Sequence, residues 1–312
     1  MAGTIHVCEV SEFGGPEVLR IAERPWPEPT EYEVVVAIAA VNVNPTDLSA
    51  RSGAARRRMP DLTPPFVPGW DLAGTVAEVG SAVAALGAYR TRDPVVGMIP
   101  WGRIGGRVGA YAEAAAVDPD WLTPRPDGLD EVTGATVPLN TLTARQALDL
   151  MALAPGAKLL ITGASGAVGS FATQIAVADG LEVLAVASDG DEDWVAGLGA
   201  ARVLPRSTDL ASLEPVDGVL DAVPVGPDAA APVKEGGVAL FTRGVALPDR
   251  PDLRVETPLV HGDPEMLQLL TDQVAQGRLK TRVDRTLPFA EAAEAHRLVE
   301  AGGLRGKIVL QT

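Results

Sequence analysis

The chain has 312 residues, 46% of them hydrophobic and 21% charged, a net charge of −15 and a single cysteine, Cys8. That length suggests about two domains; the negative charge works against a nucleic-acid partner, and one cysteine excludes an internal disulfide or a thiolate zinc site. No apolar run reaches the roughly 18 residues of a membrane span, and no basic stretch with an apolar core opens the chain, so a soluble cytoplasmic protein with no membrane partner is expected.

Residues 1 to 40 alternate short apolar runs (IHVCEV, EVVVAIAAVNV) with Pro25, Pro27 and Pro29, the pattern of strands and exposed turns. In VNVNPTDLSARSG, Pro45 holds Asn44 extended as the strand ends, and Asp47 is placed to cap a short helix. Strands are expected after Trp70, from Arg92 to Ile99 and from Gly109 to Val117. The pattern then turns helical from Leu129 to Ala154, with Pro155-Gly156 as its stop. Further strands are expected at 183–187, ARVL, GVLDAV, GGVALFT and VETPLV, then a helix from Pro264 to Gly277 and a strand, helix and strand to the end.

Between the apolar runs that start at Leu159 and Val183 lies GASGAVG, a strand-to-helix turn with Gly163, Gly166 and Gly169. In a βαβ setting this spacing serves dinucleotide binding: Gly163 takes the tight turn, Gly166 lets backbone N–H groups approach a pyrophosphate, and Gly169 lets the helix pack on the strand. The helix N-terminus adds partial positive charge. Strands alternating with helical material imply a doubly wound parallel sheet.

VNVNPTDLSARSG, PFVPGWDLAGTVAEVG, the run from Tyr111 to Leu148, GASGAVGSFATQIA and AEAAEAHRLVEAGGLRGKIVL together resemble the zinc-free quinone oxidoreductases of the medium-chain dehydrogenase/reductase superfamily. The resemblance implies an α/β fold: a GroES-like β-rich catalytic domain built from both chain ends (1–130 and 260–312), a Rossmann domain (131–259), and a dinucleotide in the cleft. Where zinc-dependent cousins have a cysteine and a histidine, this chain has Asn44 and Trp70, so no metal is expected. The resemblance makes Asn44 and Thr143 the catalytic candidates, Asn44 as amide donor to an oxygen gaining negative charge and Thr143 beside the nicotinamide, with Asn140 one helical turn earlier. The cofactor is expected to touch both, together with Gly163, Ala164, Ser165, Gly166, Ala167, Val168 and Gly169 of the turn, Ser188, Arg206, Val223 and Thr242.

Several residues depart from the family pattern. Ser49 and Ala55 stand where tyrosines are common, Pro224 where glycine is usual, and Arg243 interrupts an Ile-Gly pair. Asp191, within the acidic loop Asp189, Asp191, Glu192 and Asp193, stands where NADPH-binding members carry a lysine. No carboxylate ends the second strand itself; Ser188 does, and with Arg206 it suits a 2′-phosphate, so NADPH is expected ahead of NADH. The expected activity is NADPH-dependent reduction of a quinone or an α,β-unsaturated carbonyl. The alternatives are a dedicated enoyl or ketone reductase of a natural-product pathway and a non-catalytic NADP-binding protein. The resemblance also implies a homodimer that pairs the edge strands of its Rossmann sheets, here VETPLV, an edge that would otherwise be left open.

Overall fold

The structure is a computed structural model and describes residues 3–106 and 108–312. The chain forms two compact units, one of residues up to Leu139 with His261–Gln276 and Arg282–Thr312, the other of Asn140–Val260 with Gly277–Thr281. Residues 131–139, expected with the second domain, belong to the first because a short helix at Glu131–Ala135 packs on the first unit's sheet.

The first unit begins with strands β1 (Thr4–Val10), β2 (Leu19–Pro25), β3 (Val34–Asn42), β4 (Asp71–Val79), β5 (Pro94–Met98), β6 (Ala114–Val117) and β7 (Leu122–Pro124). Helices α1 (Pro45–Arg51) and α2 (Ser81–Leu86) are set among them and α3 (Glu131–Ala135) follows β7; α4 (Pro138–Met151) comes next in the chain and belongs to the second unit from Asn140 on. The expected strand at Gly109–Val117 is regular only from Ala114, because Ala110 and Tyr111 give their N–H groups to the Gly69 and Pro68 carbonyls instead of a ladder. The long helix expected from Leu129 is two helices, α3 and α4, separated at Thr136 and Val137 just before Pro138.

The second unit carries β8 (Lys158–Thr162), α5 (Ala167–Ala178), β9 (Glu182–Ala187), α6 (Glu192–Ala196), β10 (Arg202–Pro205), β11 (Val216–Asp221), β12 (Val233–Phe241) and β13 (Arg254–Glu256). Its six strands are all parallel, in the order β10-β9-β8-β11-β12-β13. That is the doubly wound order, which reverses between β8 and β11 and opens a ligand crevice at the carboxyl ends of those strands. Both faces are covered, so Leu160, Leu184, Val186, Val219 and Phe241 read as unbroken apolar runs and form the core. On α5, Phe171, Ala172 and Ile175 are buried, the two larger side chains contributing about 1.5–3 kcal/mol each. Of the expected VETPLV strand only Val255 and Glu256 lie in β13, since Pro258 has no N–H to continue the ladder.

The chain completes the first unit with α7 (Pro264–Ala275), β14 (Val283–Pro288), α8 (Ala292–Ala301) and β15 (Lys307–Gln311). The main sheet there runs β14-β15-β3-β4-β5-β7, with β6 also on β3, while β1 and β2 form a separate ribbon. β15 pairs antiparallel with β3, Val309 opposite Asn42. The last strand thus lies beside the strand that leads to Asn44.

Candidate active site

Register places the ends of the second unit's strands in rows. Thr162, Asp221 and Phe241 are level across β8, β11 and β12, and Ala187 is level with Pro205 across β9 and β10. Asp221 binds this edge together: its carboxylate accepts from the Thr162 hydroxyl and, at 3.0 Å, from the Gly226 N–H, while its carbonyl accepts from Thr242 Oγ1 at 3.0 Å. This hub was missed from sequence, although a carboxylate ending an apolar strand was the available sign.

The three glycines of the turn differ in what constrains them. Gly163 has φ +67°, and a Cβ there would stand 2.4 Å from Val223 Cγ1; a Cβ on Gly169 would stand 2.2 Å from the Gly163 carbonyl oxygen. The protein's own packing therefore requires both. Gly166, at the N-cap of α5, has an ordinary extended backbone, and a Cβ there would meet only the Gly163 oxygen, at 3.3 Å. The space it leaves lies at a helix N-terminus whose first N–H groups have no intrahelical acceptor. A pyrophosphate fits that cradle.

Beside the turn is a cavity of about 600 Å³ lined by Gly163, Ser188, Arg206, Val223 and Pro224, and also by Thr208–Ala211 and Asp228. Ser188 N–H donates to Ser165 Oγ at 2.9 Å, while Arg206 is exposed and makes no hydrogen bond or ion pair with the described residues. None of Asp189, Asp191, Glu192 or Asp193 lines the cavity, and Asp191, which closes the turn by donating its N–H to the Ser188 carbonyl, is buried. The carboxylates that line this cavity are Asp209 and Asp228, and Asp189 follows the lining residue Ser188 directly in the chain. Ala164, Ser165, Gly166, Ala167, Val168, Gly169, Thr143 and Thr242 are not among the lining residues. Thr143 is half-buried on α4, and Asn140 is buried one turn before it.

The other candidate, Asn44, belongs to the first unit. It is the N-cap of α1, its own N–H donating to Asp47 Oδ2 at 2.9 Å, with Pro45 at the position where a missing N–H costs nothing. Its side chain is 1% exposed and lies in a buried polar network. Lys307 Nζ donates to Asn44 Oδ1 at 3.0 Å; Asn44 Nδ2 and Asn42 Nδ2 each donate to Asp71 Oδ2 at 2.8 Å. Asp71 Oδ1 accepts from the Leu139 N–H at 2.6 Å, in the first turn of α4. Burial raises the Asp71 carboxyl, with the hydrogen bonds opposing it, and pushes Asp47 up to about 7 and Lys307 down to about 8. The amide expected to face a substrate oxygen is turned inward, because two buried charges need it as their bridge. Lys307 and Asn42 as its partners were not anticipated.

The same network bears on a metal. The Asn44 oxygen already accepts from the Lys307 ammonium at 3.0 Å, so a metal cation brought to that oxygen would be repelled. Asn44 and Trp70 do not fit zinc, and among the described residues no group of three or more His, Cys, Asp or Glu is arranged to hold a metal ion.

Residues 30–127 match the family model of the alcohol dehydrogenase GroES-like domain, and residues 198–310 that of the zinc-binding dehydrogenases. Over 309 residues the chain is 30% identical to the 2-methylene-furan-3-one reductase of Solanum lycopersicum, covering 96% of this chain and 77% of that one. The chain belongs to the medium-chain dehydrogenase/reductase superfamily. It is 30% identical to a second superfamily member, the NADPH-dependent alkenal/one oxidoreductase, chloroplastic, of Arabidopsis thaliana, with 96% of this chain and 78% of that one covered. The quinone oxidoreductase from Coxiella burnetii superposes with a TM-score of 0.89 at 27% identity, over 99% of this chain and 100% of that structure. The doubly wound unit is thus the superfamily's Rossmann domain and the β-rich unit its GroES-like domain, and the protein is an oxidoreductase.

Proposed function

We propose that the protein is a zinc-free, NADPH-dependent reductase of quinones or α,β-unsaturated carbonyls. The observation that carries this reading is the row of strand ends Arg206, Ser188, Gly163 and Val223, with an open cradle at Gly166 in its middle. It is supported by relatives named as an NADPH-dependent alkenal/one oxidoreductase and as quinone oxidoreductases.

The first turn of α5 would hold the pyrophosphate, Ser188 and Arg206 the 2′-phosphate, and Thr143 the carboxamide. Bound NADPH would supply the hydride. Hydride delivered to the acceptor carbon would be balanced by a proton from solvent. Since the Asn44 amide is committed to Asp71 and Lys307, we assign Asn44 to holding the N-terminus of α1 and the buried charges in place, and leave the developing oxyanion to backbone N–H groups. Asn44 is in this role a positioning residue.

The test is a titration with NADPH and NADH read by nicotinamide fluorescence, followed by NADPH oxidation with a naphthoquinone and with an alkenal. NADPH binding at least tenfold tighter than NADH, lost in Arg206→Ala, supports the phosphate site. Preference for NADH overturns it, and NADPH that binds but is oxidised by neither acceptor overturns the reductase reading.

A further inference from the structure

We propose that Arg243 anchors a carboxylate on the acceptor, so that the reductase selects acidic enones or quinones over neutral ones; this rests on the reductase reading above. The placement comes from the sheet. Phe241 ends β12 level with Asp221 and Thr162, and the next residue, Thr242, is pinned by its N–H and hydroxyl to the Asp221 carbonyl at 3.1 and 3.0 Å. Arg243 therefore leaves the sheet at a fixed point on its carboxyl edge. That point is two strands from β8 on one side, about 10 Å, and Arg206, at the end of β10, is two strands from β8 on the other.

A dinucleotide whose pyrophosphate sits at the β8 turn extends along the edge in both directions. If Ser188 and Arg206 take the adenosine end, the nicotinamide end reaches the β11 and β12 side. An acceptor must stack there to receive hydride. Arg243 is exposed on that side.

Its charge is uncommitted. Arg145, Lys158, Lys234, Arg250 and Arg254 of the same unit are each in an ion pair. Arg206 and Arg243 have no carboxylate partner among the described residues; Arg202, also without one, is at the opposite end of β10. In a chain of net charge −15, an open guanidinium beside the reacting end favours an anion. Its planar fork matches a carboxylate in two parallel hydrogen bonds, which the strongly hydrated ammonium of lysine reproduces less well. Gly244 follows it in open space, where a Cβ would meet only Thr257 Oγ1 at 3.8 Å.

The test uses two enones identical apart from a terminal carboxylate or its methyl ester, remote from the conjugated alkene, with the whole protein and NADPH. The ratio of kcat/KM, acid over ester, is expected to be about tenfold or more in the wild type, carried mainly by KM. It should fall to about one in Arg243→Gln and be partly kept in Arg243→Lys. A wild-type ratio near one overturns the proposal while leaving the reductase reading intact. So does an Arg243→Gln variant that weakens NADPH binding, by fluorescence titration, as much as it weakens the acid, since the arginine would then serve the cofactor. Reduction of neither enone overturns both readings.

Discussion

At the scale of single residues, the turn glycines separate stability from binding. Gly169→Ala drives a methyl group to 2.2 Å from the Gly163 carbonyl oxygen, and such overpacking costs about 1–3 kcal/mol, so a lower urea midpoint is expected. Gly166→Ala meets only the Gly163 carbonyl oxygen, at 3.3 Å, and is expected to lower the midpoint much less than Gly169→Ala while weakening NADPH about tenfold or more; equal losses of stability in both variants would deny the open cradle. Lys307 is a second case. Its ammonium and the Asp71 carboxylate share the Asn44 amide as a bridge, and removing one partner of a buried pair typically costs about 3–5 kcal/mol. Lys307→Met should show such a loss in urea unfolding, and Lys307→Met combined with Asp71→Asn should recover part of it. A single-variant loss under about 1 kcal/mol, small against that range, would show that the two charges are not coupled.

Among elements, α1 and α8 are tied through a buried group that responds to acid. Arg51 of α1 reaches His296 Nδ1 at 3.5 Å and pairs with Glu300, and His296 Nε2 lies 3.0 Å from the Tyr111 hydroxyl. Burial first, and then the Arg51 charge, hold His296 down at about 3 from its ordinary 6.5. A depressed histidine gives stability that is complete above its unfolded value and is lost as pH falls from 6.5 toward 3, by at most about 1.4 kcal/mol per pH unit. Asp47 works oppositely: raised from 3.8 to about 7, it contributes fully below 3.8 and loses that contribution as pH rises toward 7. Comparison with His296→Gln isolates the first effect. The difference in Tm between wild type and variant should shrink on going from pH 7 to pH 4, and a constant difference would mean that His296 is protonated in the fold.

For the molecule as a whole, the open end of the parallel sheet bears on assembly. β13 is an edge strand of three residues, with Val255 partly exposed and Leu259 largely so. The proposed homodimer would cover this edge, and sedimentation should then give about twice the 32.3 kDa of one chain. A lysine at Val255, the usual guard of an exposed edge, should shift the mass toward one chain. A monomeric wild type would refute the pairing. Among the described residues no helix is long and apolar enough to cross a membrane.

The sequence alone determined the alternation of strand and helix around GASGAVG, and with it the parallel sheet and the place of the glycine turn, because those follow from local periodicity and from backbone conformations that few residues allow. Asn44 and Trp70, where the resemblance would put a cysteine and a histidine in a zinc enzyme, could also be read there, since that is a matter of residue type. What the Asn44 amide contacts was decided only by the tertiary structure: it meets Lys307, 263 positions away, and Asp71, 27 away. The same is true of Asp221 as the tie across three strands and of the place of Arg243 on the sheet's edge. Each depends on register between strands distant in the chain. That register is set by burial of whole faces, which no short stretch of sequence displays.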